Sequence, residues 1–322
     1  MPHVLIAGKI HPDGLALLRA RPALTVEEMT DLSAEAFIAR LPDADALLIR
    51  TAPLPAAAVE KAKRLRVVSR HGVGYDNVPL ATLTAHGIPV TVIGNAGSVA
   101  VAEHTLMLML TLCKEMARFD QAVRAGDWAF RNRLNPGDLE NRTLLLLGLG
   151  RIGREVVKRA AAFDMRILGY DPALPEAEIA KLGVTPVRDW RAVLPQADFV
   201  SLHVPRSTET EHMIAAAELA AMKPTAYLIN VARGGLVDEH ALAEALAAGR
   251  IAGAGIDVLE DEPPAADHPL LKADRLILSP HVAGLSENAA LRLSMAAAAN
   301  VLAGLDGTLD PHFVINAEVL KR

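Results

Sequence analysis

The sequence has one cysteine in 322 residues, Cys113, which excludes intrachain disulfides and any cysteine-rich zinc site. Within the apolar run 106–116 it reads as a core thiol, and no metal is expected. Long hydrophobic runs are missing as well. No uninterrupted apolar stretch approaches the ~18 residues that a membrane span needs. The amino terminus, MPHVLIAGKI, has neither a basic n-region nor a small-residue cleavage pattern. The expectations are a cytoplasmic protein and no membrane partner. Clustered charge is the third absence: the net charge is −5, and lysine and arginine are scattered along the chain. Nucleic acid is therefore not an expected partner, and a small molecule is. There are no solenoid-type repeats and no low-complexity segment.

What is present describes a large interior, 51% hydrophobic residues against 22% charged. Single cores stop growing near ~250 to 300 residues, so two domains are expected. Short apolar runs at 4–7, 46–49, 66–69, 144–147, 166–169, 199–203, 226–231 and 276–278 alternate with amphipathic, alanine-rich stretches. That alternation predicts parallel strands joined by helical crossovers. Helices cover both faces of such a sheet, which permits strands that are apolar throughout, as Leu144 to Leu147 is. Residues 95–119 read as one long helix with Ser98 as N-cap, and Glu103 and His104 are its only strongly polar residues before Lys114. A polar arm follows at 120–142, and a second long helix is expected over 286–302.

Gly148-Leu149-Gly150-Arg151-Ile152-Gly153 directly follows the strand 143–147 and opens a helix. Alone, G-x-G-x-x-G is a weak signal; its context strengthens it. Gly148 suits a tight turn, Gly150 lets the backbone approach a pyrophosphate, and Gly153 lets helix and strand pack closely. After one more strand comes Asp171, where a carboxylate can accept hydrogen bonds from an adenosine ribose. It would repel a 2′-phosphate, and the following Pro172-Ala173-Leu174-Pro175 offers no arginine to hold one. NAD is therefore expected rather than NADP.

Three polar residues stand after predicted strands in the same half: Arg233 after 226–231, Glu262 after 255–259, and His281 after 276–278. Ligands of open α/β sheets bind beyond the carboxyl ends of strands. Hydride transfer from an alcohol needs a base for the hydroxyl proton, which histidine can supply. A carboxylate substrate needs an orienting cation, which arginine can supply. A carboxylate beside the imidazole would favour its charged form and hold one tautomer. Singly, each residue has an ordinary structural explanation; their joint placement after three successive strands does not.

The chain resembles the D-isomer-specific 2-hydroxyacid dehydrogenase family. The resemblance rests on HGVGYDN at 71–77, the glycine loop with Asp171, LHVP at 202–205, NVARGGLVDE at 230–239, GIDVLEDEP at 255–263 and SPHVAG at 279–284. It implies two Rossmann-like, doubly wound parallel-sheet α/β domains. A flavodoxin-like substrate domain, 1–95 and 286–322, would be interrupted by an NAD-binding domain, 96–285. It implies catalysis by Arg233, Glu262 and His281, and substrate contacts from Arg50, Thr51, Val73, Gly74, Arg233 and His281. The implied cofactor contacts are Gly148, Gly150, Arg151, Ile152, Gly153, Asp171, Pro172, His203, Val204, Pro205, Val231, Ala232, Arg233, Asp257, His281 and Gly284. A homodimer is implied, with NAD(H) as cofactor. The implied reaction interconverts a small D-2-hydroxy acid and its 2-keto acid, of the hydroxypyruvate or glyoxylate type, with 3-phosphoglycerate next. Alternatives are an NAD-sensing regulator like the family's corepressors, or a phosphite dehydrogenase. Formate dehydrogenases carry glutamine where Glu262 stands. His71 departs from the small or aromatic residue expected there.

Overall fold

A computed structural model describes residues 1–133 and 135–321 and divides the chain into two compact units, Met1–Gly97 with Leu285–Arg322, and Ser98–Gly284. Each is an α/β unit around an all-parallel sheet. Among the described residues no helix is long and apolar enough to cross a membrane.

In the first unit the strands are β1 (His3–Ala7), β2 (Thr25–Met29), β3 (Ala46–Ile49), β4 (Val67–Arg70) and β5 (Val90–Thr91), ordered β2-β1-β3-β4-β5. This is the flavodoxin-like order, with its reversal between β1 and β3. Strands β1 and β3 are almost wholly inaccessible to solvent, which is why they contain no alternating polar residues. The helix Glu287–Asp306 packs against β4. Ser69 donates to the Ala297 carbonyl (2.9 Å), and a Cβ on Gly304 would lie 2.6 Å from that of Val67. Ser286 caps this helix through the Ala289 N–H, and Gly307, at φ 71°, ends it.

The second unit contains β6 (Thr143–Leu147), β7 (Arg166–Tyr170), β8 (Thr185–Pro186), β9 (Phe199–Leu202), β10 (Tyr227–Asn230), β11 (Gly253–Ile256) and β12 (Leu276–Leu278). Their order is β12-β11-β10-β9-β6-β7-β8, the dinucleotide-binding arrangement with its switch point between β6 and β9. Leu144 to Leu147 are fully buried, each contributing about 1.5 to 3 kcal/mol of apolar transfer.

The single helix expected over 95–119 is two, Ser98–Cys113 and Met116–Arg124. Glu115 breaks it with a left-handed φ of 50°, and the Cys113 carbonyl accepts from Gly137 N–H of the arm (2.9 Å). Helical periodicity continues through this point, so the break comes from a tertiary contact. Ser98 is the first helical residue rather than a cap, and its hydroxyl has no partner among the described residues. Position 134 of the arm lies outside the described residues.

Candidate active site

The glycine loop leaves β6 beside β9, at the switch point. Gly148 has φ 98°, and a Cβ there would come within 2.4 Å of the His203 carbonyl oxygen. One on Gly153 would lie 2.2 Å from the Gly148 carbonyl oxygen, whereas one on Gly150 meets nothing within 4 Å. The first and third glycines thus serve close packing, and the second borders open space. The helix Arg151–Ala161 begins at Gly150 with no side-chain cap, so its first N–H groups are available to an anion.

Asp171 accepts Leu149 N–H (2.8 Å) and Ala173 N–H (3.0 Å), one on each oxygen, leaving acceptor capacity on both. Burial pushes His203 down to about 3, so its ring is neutral. Its Nε2 pairs with the Ser201 hydroxyl (2.9 Å), and the buried Nδ1 has no partner among the described residues. An open glycine turn, an uncapped helix start, an available carboxylate and an orphaned ring nitrogen together fit a dinucleotide.

Gly153→Ala tests the loop. The added methyl must displace the Gly148 backbone, at about 1 to 3 kcal/mol, so NADH binding followed by fluorescence should weaken roughly ten- to hundredfold. Gly150→Ala has room for its methyl and should keep its thermal midpoint while losing NADH affinity.

The three expected catalytic residues occur together at the carboxyl ends of β10, β11 and β12. His281 Nδ1 lies 2.7 Å from Glu262 Oε2. Since a carboxylate only accepts, Nδ1 carries the hydrogen and Nε2 is left for chemistry. Glu262 is held below the usual carboxylate range. Burial opposes its charge but is outweighed by the hydrogen bond and charge of His281, by Leu259 N–H (3.1 Å) and by the charge of Arg233. Both side chains of the pair are 39% exposed, so solvent can reach them.

Arg233 is presented by a turn built on Asn230, which is 1% exposed. Asn230 donates to the Arg233 carbonyl (2.8 Å) and accepts Ala232 N–H (3.1 Å). Gly234 is obligatory: a Cβ there would sit 1.9 Å from the Leu259 carbonyl oxygen, so this turn and the Glu262 loop touch through backbone. Val231 is buried and Ala232 half-buried beside it, as is Val204 after β9; Pro172 and Pro205 are exposed.

His281 has φ 53°, a strained conformation for a non-glycine residue that surrounding structure must enforce. Asp257, 1% exposed, does this. Its carboxylate accepts from Val282 N–H, Ala283 N–H (both 2.9 Å) and the Ser279 hydroxyl (2.5 Å), and its carbonyl accepts His281 N–H (2.7 Å). The Ser279 hydrogen is spent on Asp257, so His104 Nε2 donates to Ser279 Oγ (3.0 Å). Sequence alone marks His104 as polar on an apolar helix; its partners lie some 175 positions away, and no local signal names them. Gly284 ends this loop.

In the first unit, Arg50 follows β3 and donates to the Lys9 carbonyl (2.9 Å). The turn containing Val73 and Gly74 is fastened by Arg70, which donates to the Gly74 (2.8 Å) and Ile49 (2.7 Å) carbonyls. Asn77 adds bonds to the Arg50 and Ala52 carbonyls. Thr51 and Val73 are exposed. His71 is buried against Ser294 Oγ (2.8 Å) and pushed down to about 4 by burial and the charges of Arg50 and Arg70.

Residues 106–283 match the family model described as D-isomer specific 2-hydroxyacid dehydrogenase, NAD binding domain. The glyoxylate reductase of Korarchaeum cryptofilum is 38% identical over 325 residues, covering 99% of this chain and 97% of the relative. The D-3-phosphoglycerate dehydrogenase of Methanocaldococcus jannaschii is 40% identical over 290 residues, 90% of this chain, and the chain spans only 55% of that relative. Among solved structures, a D-lactate dehydrogenase from Aquifex aeolicus complexed with NAD and lactic acid has a TM-score of 0.89 at 29% identity, covering 97% of this chain and 99% of the other.

Proposed function

The chain belongs to the D-isomer specific 2-hydroxyacid dehydrogenase family, and from that membership we propose that it transfers a hydride between NAD(H) and a small D-2-hydroxy acid or its 2-keto acid. The observation that carries the reading is the Glu262–His281 pair, with Nδ1 committed to the carboxylate and Nε2 free. The bound nicotinamide supplies or takes up the hydride. Arg233 orients the substrate carboxylate and carbonyl. In reduction, His281 gives the proton on Nε2 to the carbonyl oxygen as the carbonyl carbon gains the hydride; in oxidation it removes the hydroxyl proton. Glu262 stabilises the imidazolium between these events.

In the first unit the proposed substrate contacts are Arg50, Thr51 and the Val73–Gly74 backbone. The cofactor contacts are those named from the sequence, with Asp257 acting chiefly by ordering the loop that it holds. NAD is preferred over NADP because Asp171 would repel a 2′-phosphate. Hydroxypyruvate or glyoxylate is the favoured substrate, in keeping with the glyoxylate reductase matched nearly end to end, and 3-phosphoglycerate comes next. The test is NADH consumption by purified protein on glyoxylate, hydroxypyruvate, pyruvate and phosphohydroxypyruvate, with an NADPH control. Turnover preferring NADH supports the reading; tight NADH binding with no turnover favours a cofactor-sensing regulator.

We place the enzyme in the cytoplasm as a homodimer. Met107, 44% exposed, lines a shallow depression with Leu106, Leu110 and Phe163, bordered by Glu103, Thr111 and Arg159, and Met116, Val123 and Trp128 are 53 to 67% exposed on the segments that follow. A surface this apolar favours a partner. Sedimentation should give twice the chain mass, and Trp128→Glu should lower it toward the monomer.

The lowered Glu262 titration gives a pH prediction. A depressed carboxylate contributes stability that is fully present above its unfolded value and is lost as pH falls through the folded one. Wild type and Glu262→Gln should therefore differ in thermal midpoint near neutrality and converge below about pH 4.

A further inference from the structure

A second carboxylate–histidine pair lies behind the first. Glu239 opens the helix Glu239–Ala247, whose N-cap is Asp238, and it is only 7% exposed. Its Oε1 accepts Glu260 N–H at 2.7 Å, and its Oε2 lies 2.9 Å from His268 Nε2. His268 Nδ1 accepts Leu270 N–H (3.4 Å), which leaves the ring hydrogen on Nε2, directed at Glu239. Burial, with the nearby Glu260 charge, raises Glu239 despite these two donors. A buried carboxylate this costly needs both donors to stay in place.

The consequence concerns the loop that it holds. Leu259 packs on the core and its carbonyl abuts Gly234, but the residues after it depend on a few hydrogen bonds. Leu259 N–H turns inward to Glu262 Oε1, and the Glu260 side chain reaches outward to Arg206 (3.2 Å) and His212 (3.3 Å). The Glu260 amide is the backbone link from this loop to a helix, and it ends on Glu239. We propose that Glu239, with His268 holding its second oxygen, is a positioning residue that sets the register of this loop, so that the Glu262 carboxylate meets His281 Nδ1. The residue acts through Glu262 and touches no reacting atom. Withdrawing the acceptor frees the Glu260 amide, lets the loop drift, and separates Glu262 from His281, although all three catalytic residues remain. A 1 Å misplacement of such a group is enough to cost about a hundredfold in rate.

This inference rests on the dehydrogenase reading above, and the experiment separates the two. Wild-type turnover dependent on His281 tests that reading. Against it, Glu239→Ala is expected to lower kcat about tenfold or more with KM and NADH affinity nearly unchanged. Glu239→Gln, which retains an oxygen for Glu260 N–H but sets its NH2 against the His268 Nε2 hydrogen, should recover part of the loss. Should the alanine variant not fold, Glu239→Asp keeps a charge at the helix start but withdraws it by one methylene, and the same loss of kcat is expected. Amide hydrogen exchange at Glu260 reads the link without turnover: protected in wild type and Glu239→Gln, fast in Glu239→Ala or Glu239→Asp. Unchanged kcat in the alanine or aspartate variant overturns the proposal, as does unchanged Glu260 protection.

Discussion

Replacing His281 with alanine should lower kcat for 2-keto acid reduction by about a hundred- to ten-thousandfold, the range for losing a positioned general acid, with a much smaller change in NADH affinity. The size follows from the geometry. Glu262 fixes the hydrogen on Nδ1 at 2.7 Å, and Asp257 enforces the backbone turn at φ 53° through three bonds to its carboxylate. Nothing else in the loop supplies a titratable group to the carbonyl oxygen: Ser279 is spent on Asp257, and Asp257 on the loop. Glu262→Gln retains an acceptor for Nδ1 but not the charge, so its loss should be smaller. Steady-state kinetics distinguish the roles: a rise in KM with kcat intact would make His281 a binding group.

Arg233→Ala should lower kcat/KM by roughly thirtyfold to several thousandfold, corresponding to the ~2 to 5 kcal/mol lost when one partner of a desolvated charge pair is truncated. The guanidinium favours the ionised form of Glu262, and in the proposed role it would also hold the substrate carboxylate. Lysine should rescue poorly, since a single ammonium cannot bind a carboxylate and a carbonyl through a planar fork. Arg233→Lys within threefold of wild type would mean that only a positive charge is needed there.

The interior of the fold was legible because its strands are apolar: β3 and β6 have the bounds read from the sequence, as does the apolar edge strand β12. What escaped detection lay at edges and close approaches. β2, Thr-Val-Glu-Glu-Met, pairs on one side only and retains polar residues. β8 is two residues long. β11 is expected over 255–259 but runs Gly253–Ile256, its start hidden because Gly-Ala-Gly-Ile is poor strand material in isolation. A Cβ on Gly255 would sit 3.1 Å from Leu108 Cβ and 3.2 Å from Ile229 Cδ1, so glycine is there to admit the helix Ser98–Cys113. That need exists only in three dimensions.

The site divides in the same way. Arg233, Glu262 and His281 were readable because each follows a strand and the chemistry needs their residue types. The glycine loop was readable because Gly148 and Gly153 each meet backbone that a Cβ would strike and Gly150 borders open space, a spacing that follows a strand and opens a helix. His104, Asn230 and Glu239 have no such signature, for their partners are backbone groups or distant side chains. Asp257 was expected at the cofactor, and its carboxylate oxygens accept from the loop bearing His281. His71 stood out only as a departure, and the structure assigns it a buried bond to Ser294.

The most direct test of the account replaces both hydrogens on the reactive carbon of the reduced nicotinamide with deuterium and follows the label while the wild-type protein turns over a 2-keto acid whose product is chiral, such as hydroxypyruvate. The account predicts deuterium on the alcohol carbon of a D-configured product, with transfer falling in His281→Ala as NADH consumption does. Product of L configuration, product without label, or transfer undiminished in His281→Ala would contradict it.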